Sequence, residues 1–272
     1  MNIIYKVEDF FEKIFHRKGH GISLLVPYKR HVDPRRDITW EWLKKYWEHE
    51  LPGAEIICSD GGSDRSFSKT SAINKAAKRA DGDIFVILDA DCYISGDILV
   101  ECAEKIRRSQ GYGYPLWFIP YRHFYRLNEE TSLYILMSDP EDPLRIKSPP
   151  DDNLIVQKHK NENSHGHGFG AMIQVLPREA FELVGGMDPR FNGWGGEDVS
   201  FMRAVDTLYG HHKTTKNDVY HLWHPTIGES FNDRMWTGQI NPGNNNELSS
   251  RYSAAFNDRA RMRALVDEGF VI

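Results

Sequence analysis

From Gly21 to Pro27 the chain reads GISLLVP, an apolar run closed by proline, which predicts a buried strand. RRDITWEWLKKYWEHEL follows, with Trp40, Leu43, Trp47 and Leu51 three and four residues apart, the spacing of a helix with one apolar face. AEIICSD predicts a second strand that ends in acid just before Gly61-Gly62. SKTSAINKAAKRA predicts a second helix, and DIFVILDAD a third strand, again ending in acids. SGDILVECAEKIRRS is a third helix with a cap at Ser95 or Asp97. Strands and helices alternating at this length predict an α/β fold, a mostly parallel sheet with helices on both faces. Ligands of such sheets gather beyond the carboxyl ends of the strands. That edge would carry Pro27-Tyr28-Lys29, Ser59-Asp60 and Asp89-Ala90-Asp91.

The second half is patterned differently. WFIPYRHFYRLN suits a strand with an aromatic extension, and residues 138–168, rich in proline, acid and amide, suggest a long loop or lid. FGAMIQVLPREAFELVGGM gives a strand, a helix opened by Pro177 and a glycine stop. A further helical pattern begins after the glycine-rich GWGGED. NPGNNNELSS reads as a loop, and a charged helix is expected from about Arg251 to Glu268.

At 272 residues, 40% hydrophobic and 27% charged, the chain can bury a sizeable core. A net charge of -5 lacks the basic surplus of a non-specific nucleic-acid binder, although a local basic groove stays open. Cys58, Cys92 and Cys102 form no metal-ligand spacing and no disulfide ladder, which suits a reducing compartment. Charges interrupt every apolar run of the N-terminus, so neither a signal peptide nor a membrane anchor is expected there.

Two residue patterns carry chemistry. Asp89-Ala90-Asp91 sets two carboxylates one residue apart at the end of a strand. One can hold a divalent ion while the other reaches a ribose or an ordered water. Hard oxygen ligands suit Mg²⁺ or Mn²⁺, and an added imidazole favours Mn²⁺. YHLWHP offers His221 and His224 for that, or else a strand or turn with one buried and one exposed histidine. The chain has 12 histidines, and His211-His212 and His165-x-His167 are left outside the metal site. Glu197-Asp198 on its glycine mount is either the acidic first turn of a helix or part of a site.

In the order LLVPYKR, DGGSD, ILDAD, GWGGED and a later histidine, the chain resembles glycosyltransferases of the GT-A fold over roughly Ile22 to Pro225. It is most similar to the family-2-type enzymes and to the galactosyl- and N-acetylgalactosaminyl-transferase group with a WGGED-like loop. The resemblance implies a GT-A, Rossmann-like domain over 21–230, with a small acceptor-side subregion. A helical extension over 1–20 would precede it, and 231–272 would pack on it as a loop and helix. Pro27 and Tyr28 would border the nucleotide base and Asp60 would bond its ring, while Lys69 and Asn74 would lie near base, ribose and diphosphate. Asp89 and Asp91 would form the acid pair, with Asp91 ligating the metal, His224 completing the shell, and His221 in reach. Gly170 and Ala171 would pass the donor sugar, and Trp194 would give an aromatic face to the acceptor.

Glycines let a backbone approach a sugar closely, and the two acids beside them suit a hydrogen-bond anchor for donor hydroxyls and a general base for the acceptor. The resemblance thus implies a metal-dependent, inverting transfer from a nucleotide-diphosphate sugar, UDP-linked, with Asp198 as base and Glu197 on the donor sugar. The acceptor would be a glycan, a protein or a hydroxymethylated base of phage DNA, and the setting the cytoplasm of a bacterial or phage-infected cell. Two rivals stay in view: a sugar-nucleotide nucleotidyltransferase, although no glycine follows the first strand in PYKRHVDPRRD, and a catalytically silent sugar-binding module.

Overall fold

The computed structural model of the protein describes residues 18–61, 67–160, 172–193, 195–225 and 245–270. β1 (Ile22–Pro27) is buried at every position. It pairs in parallel with β2 (Glu55–Ser59) on one edge and β3 (Ile84–Leu88) on the other. A strand with both edges paired and both faces covered has no polar side to show, hence its unbroken apolar run. Beyond β3 lie β8 (Ile173–Pro177), β5 (Phe118–Ile119) and β9 (Lys213–Thr214), in the order β2-β1-β3-β8-β5-β9. β8 is antiparallel to both neighbours, whereas β5 and β9 run together. All strands of this sheet but β8 therefore point one way, as the sequence predicts.

The helices start where the capping signals lie. Asp33 caps α1 (Pro34–Glu50), its side chain accepting from the Arg35 N–H at 2.9 Å. Trp40, Leu43 and Trp47 of α1 are buried, with Leu51 just past it. Ser68 caps α2 (Lys69–Ala77), which packs on β1 and β2. α3 (Gly96–Gly111) follows Ser95 and packs on β8.

A smaller sheet has the order β4-β10-β6-β7, from β4 (Cys92–Tyr93), β10 (Asp218–His221), β6 (His123–Leu127) and β7 (Ile155–Lys160). Here the sequence reading needs correction. Residues 155–160 of the expected lid form β7, an edge strand paired with β6. EETSLYILM, given no element above, is α4 (Glu129–Met137), capped by Asn128 accepting from the Thr131 N–H at 2.8 Å.

α5 (Arg178–Leu183) leads through the glycines to α6 (Glu197–Leu208). The expected C-terminal helix is two: α7 (Asn245–Ala255), which starts inside NPGNNNELSS, and α8 (Arg259–Phe270). Asn257 divides them with a left-handed φ of 64°, which asparagine tolerates better than most residues. Both helices pack on α6. Their attachment is polar as well as apolar: Arg190 bonds buried Asp188 at 2.6 Å and the Leu265 carbonyl at 2.8 Å, and Tyr252 donates to Asp188 at 2.9 Å. Among the described residues no helix is long and apolar enough to cross a membrane. The proposed extension over 1–20 falls almost wholly outside the described residues, as do Gly170, Ala171 and Trp194.

Candidate active site

The parallel strands β2, β1 and β3 end at a common edge, with Pro27 in register with Ser59. The Tyr28 N–H donates to the Ser59 carbonyl at 2.9 Å, its ring lies 5.7 Å from that of Trp40, and its hydroxyl bonds Asp37. Asp60 is exposed one residue past β2. Gly61, at φ 78°, turns its carbonyl to accept from Lys75 Nζ at 2.5 Å and Ser71 Oγ at 3.1 Å.

The metal candidates meet because the small sheet begins where β3 ends. β4 pairs antiparallel with β10, with Cys92 opposite His221, and the Leu222 N–H donates to the Asp91 carbonyl at 2.8 Å. His221 Nε2 is 3.5 Å from Asp91 Oδ1, and His224 Nε2 is 3.2 Å from Asp91 Oδ2. Burial alone would favour a neutral Asp91. His221, His224 and Arg36 outweigh it and hold the acid well below the ordinary carboxylate range. Burial also drives His221 down to about 3, against the opposing pull of Asp91.

Two neighbours compete for Nδ1 of His224. Arg36 Nη2 lies 2.9 Å from its Nδ1, and the Pro225 carbonyl lies 2.8 Å from the same nitrogen. Arg36 can only donate and the Pro225 carbonyl can only accept, so they ask for opposite tautomers. In the one with Nδ1–H toward Pro225, Nε2 would turn a lone pair toward Asp91, where a bound cation would join the two. Asp91 with His224 and His221 thus offers oxygen and neutral nitrogen donors, a set that fits Mn²⁺. His221 fits less completely, since its Nδ1 is buried with no hydrogen-bond partner among the described residues.

The structure brings two residues to this cluster that sequence reasoning missed. Cys92 Sγ groups with Asp91 and His221 at metal-binding separations. Burial, reinforced by Asp91 and Asp89, pushes the thiol well up, so it stays protonated and donates to Asp91 Oδ1 at 3.4 Å. Arg36 Nη1 is 3.8 Å from Asp91 Oδ2. Cys92 directly follows Asp91 and was legible by adjacency; Arg36 depends on where α1 begins and gave no comparable signal.

On the other side of the edge, Glu197 and Asp198 open α6 after Gly195 and Gly196, at φ 110° and 87°. Few side chains tolerate such angles, and a Cβ on Gly196 would also come within 3.0 Å of Ser249 Cβ. Glu197 is buried and reaches back to accept from the Gly195 N–H at 2.9 Å. Asp198 Oδ2 accepts from Lys69 Nζ at 2.8 Å, and the same ammonium lies 2.6 Å from Asp89 Oδ1. Asp198 Oδ1 is buried with no hydrogen-bond partner among the described residues. Burial pushes Asp198 up to about 8 and Asp89 up to about 6, in each case against the pull of Lys69. Tyr121, also buried, accepts from the Met172 N–H at 3.2 Å, and Asp89 and Asp198 add to the burial that raises its hydroxyl.

Asp89, Asp91, Lys69, Glu197, Asp198, His221 and His224 therefore form one site at the strand edge. Asn74 is employed elsewhere. Its amide donates to the Met187 carbonyl at 2.7 Å and accepts from the Met187 N–H at 2.8 Å, holding the turn that leads to the glycine loop.

The family model described as glycosyltransferase like family 2 matches residues 54–224. Human chondroitin sulfate N-acetylgalactosaminyltransferase 2 is 28% identical over 166 residues, 58% of this chain and 27% of that protein. Human chondroitin sulfate N-acetylgalactosaminyltransferase 1 is 25% identical over 165 residues, again 58% and 27%. The match thus spans about a quarter of these relatives' length. Among solved structures, the catalytic domain of Drosophila beta1,4galactosyltransferase 7 in complex with xylobiose is 17% identical with a TM-score of 0.42, covering 86% of this chain and 80% of that one. GalNAc-T7 with UDP, GalNAc and Mn2+ is 13% identical with a TM-score of 0.42, covering 91% and 48%.

Proposed function

Since this chain belongs to the glycosyltransferase-like family 2, we propose that it moves a sugar from a nucleotide-diphosphate donor, UDP-linked, to an acceptor hydroxyl with inversion. The observation that carries this reading is the meeting of two unlike halves at one strand edge. Asp91 with His221 and His224 suits a cation beside a diphosphate, and Glu197-Asp198 suits a sugar and a proton. A divalent ion bound there would act as a Lewis acid for the departing diphosphate.

Asp198 Oδ1 takes the proton of the acceptor hydroxyl as that oxygen bonds the anomeric carbon and the bond to the diphosphate oxygen breaks. One oxygen of Glu197 is held by Gly195, which fixes the carboxylate and leaves the other for a donor hydroxyl. Pro27, Tyr28 and Asp60 border the base. The curated relatives are named for transfer of N-acetylgalactosamine, so an N-acetylhexosamine leads the list of donor sugars. The acceptor class is a glycan, a protein or a modified DNA base.

The test is a donor screen with purified protein and Mn²⁺, scoring nucleotide release from each sugar nucleotide, with the anomeric configuration of the product read by NMR. Release from UDP-sugars with an inverted product supports the reading. Nucleotide–sugar exchange with inorganic diphosphate would instead identify a nucleotidyltransferase, and binding without turnover a sugar-binding module.

A further inference from the structure

We propose that Lys69 is a positioning residue for the transfer, its ammonium claiming one oxygen of Asp198 and tying it to Asp89 so that the other oxygen alone is free to take the acceptor's proton. The inference rests on the reading of Asp198 as the base.

Lys69 is the first residue of α2, where a cation opposes the helix dipole. Its side chain is also largely desolvated, at 14% exposure. Neither circumstance suits a lysine unless carboxylates compensate it, and two do, at 2.6 Å from Asp89 and 2.8 Å from Asp198. Those acids come from the end of β3 and the start of α6, so one ammonium joins the segment that leads to Asp91 with the loop that carries the base. The bond also makes the two oxygens of Asp198 unequal: Oδ2 is occupied, and buried Oδ1 has no partner among the described residues.

The charges around Asp198 give this pairing a second consequence. Asp89 beyond β3 and Glu197 on α6 both oppose its ionisation, as does burial, and the hydroxyl of Tyr121 lies in the same field. Lys69 opposes all of them. Burial would lower Lys69 itself, but Asp198, Asp89 and Glu197 outweigh it and hold the amine well above its ordinary value. It therefore stays an ammonium and gives up no proton; the proton passes from acceptor oxygen to Asp198 Oδ1 only.

Lys69→Met keeps the stem and removes the charge; Lys69→Arg keeps the charge. At saturating Mn²⁺, the acid limb of the pH–rate profile should move up by about 1–3 pH units in Lys69→Met, the usual effect of losing an adjacent opposite charge. Lys69→Arg should return the limb toward wild type, and UDP affinity by calorimetry should be unchanged in both. A uniform loss of rate with an unmoved limb would overturn the inference alone, leaving a structural lysine. Weakened UDP binding with an unmoved limb would overturn it in favour of a donor contact. An Asp198→Asn enzyme that keeps its turnover would remove the base reading, and this inference with it. Should Lys69→Met fail to fold, Lys69→Gln carries the same comparison, with melting curves recorded for each variant.

Discussion

Lys69 Nζ lies 2.8 Å from Asp198 Oδ2 across 129 residues of sequence, joining the first turn of α2 to the first turn of α6. Two helix starts of opposite charge thus face each other beside the acids that follow β3. Acids favour a helix N-terminus and a lysine does not, so local helix energetics explain Asp198 but not Lys69. The pairing makes the glycine loop part of the strand edge, and the consequences can be measured.

Asp198→Asn should lower turnover by at least roughly 10²-fold, the loss expected without a general base, while donor affinity holds. Glu197→Gln should instead weaken binding of the sugar nucleotide and spare UDP. Steady-state kinetics beside calorimetry with UDP and with the UDP-sugar separates the two.

The same Asp198→Asn variant should gain stability relative to wild type as pH rises in metal-free buffer. Asp198 is raised to about 8 in the folded protein against ~3.9 unfolded, so its burial costs nothing below pH ~4. The cost grows as pH rises toward 8 and is then constant. Melting temperatures should show the variant's advantage widening from pH 4 to 8, and a variant less stable at pH 8 than at pH 5, relative to wild type, contradicts it.

Asp91→Ala and His224→Ala should each abolish Mn²⁺-dependent UDP binding, matching wild type in EDTA. His221→Ala should do less, since its second nitrogen is buried with no partner among the described residues, whereas Nδ1 of His224 lies 2.8 Å from the Pro225 carbonyl. Calorimetric titration of Mn²⁺ and UDP checks the ranking, and wild-type affinity unchanged by EDTA would remove the metal site.

Asn74→Ala should cost about 1–3 kcal/mol of stability, because it leaves buried backbone groups of Met187 unpaired. Denaturant unfolding measures this. A variant of normal stability with weakened UDP affinity would return Asn74 to the donor contacts that the resemblance implies.

All three thiols are free, and burial raises each: Cys58 to about 11, Cys102 to about 12, Cys92 well above its usual value. At pH 8 the thiolate fraction of Cys58 is about a hundredfold below that of an open thiol. Ellman's reagent should therefore react slowly with the folded protein and at once with three thiols in denaturant.

The sequence by itself determined the parallel strands and the acids at their ends. An unbroken apolar run such as Ile22–Pro27 needs cover on both faces, and strands separated by helices of this length align their carboxyl ends. Asp89, Asp91, Glu197 and Asp198 were legible because acids beside glycine or at strand ends stand out locally. What only the tertiary structure decided are relations between distant segments. His221 meets Asp91 through the pairing of β10 with β4, and two residues of register decide that. The resemblance puts Asn74 near the nucleotide, yet its amide is held by a turn 113 residues away. Arg36 comes to Asp91 only because Asp33 and Pro34 start α1 there, and EETSLYILM is a helix without a clear apolar stripe, stabilised by its Asn128 cap and its packing on α1. Local pattern reports which backbone state a segment prefers; long-range packing chooses the partners of each charge, and in this site the partners set the chemistry.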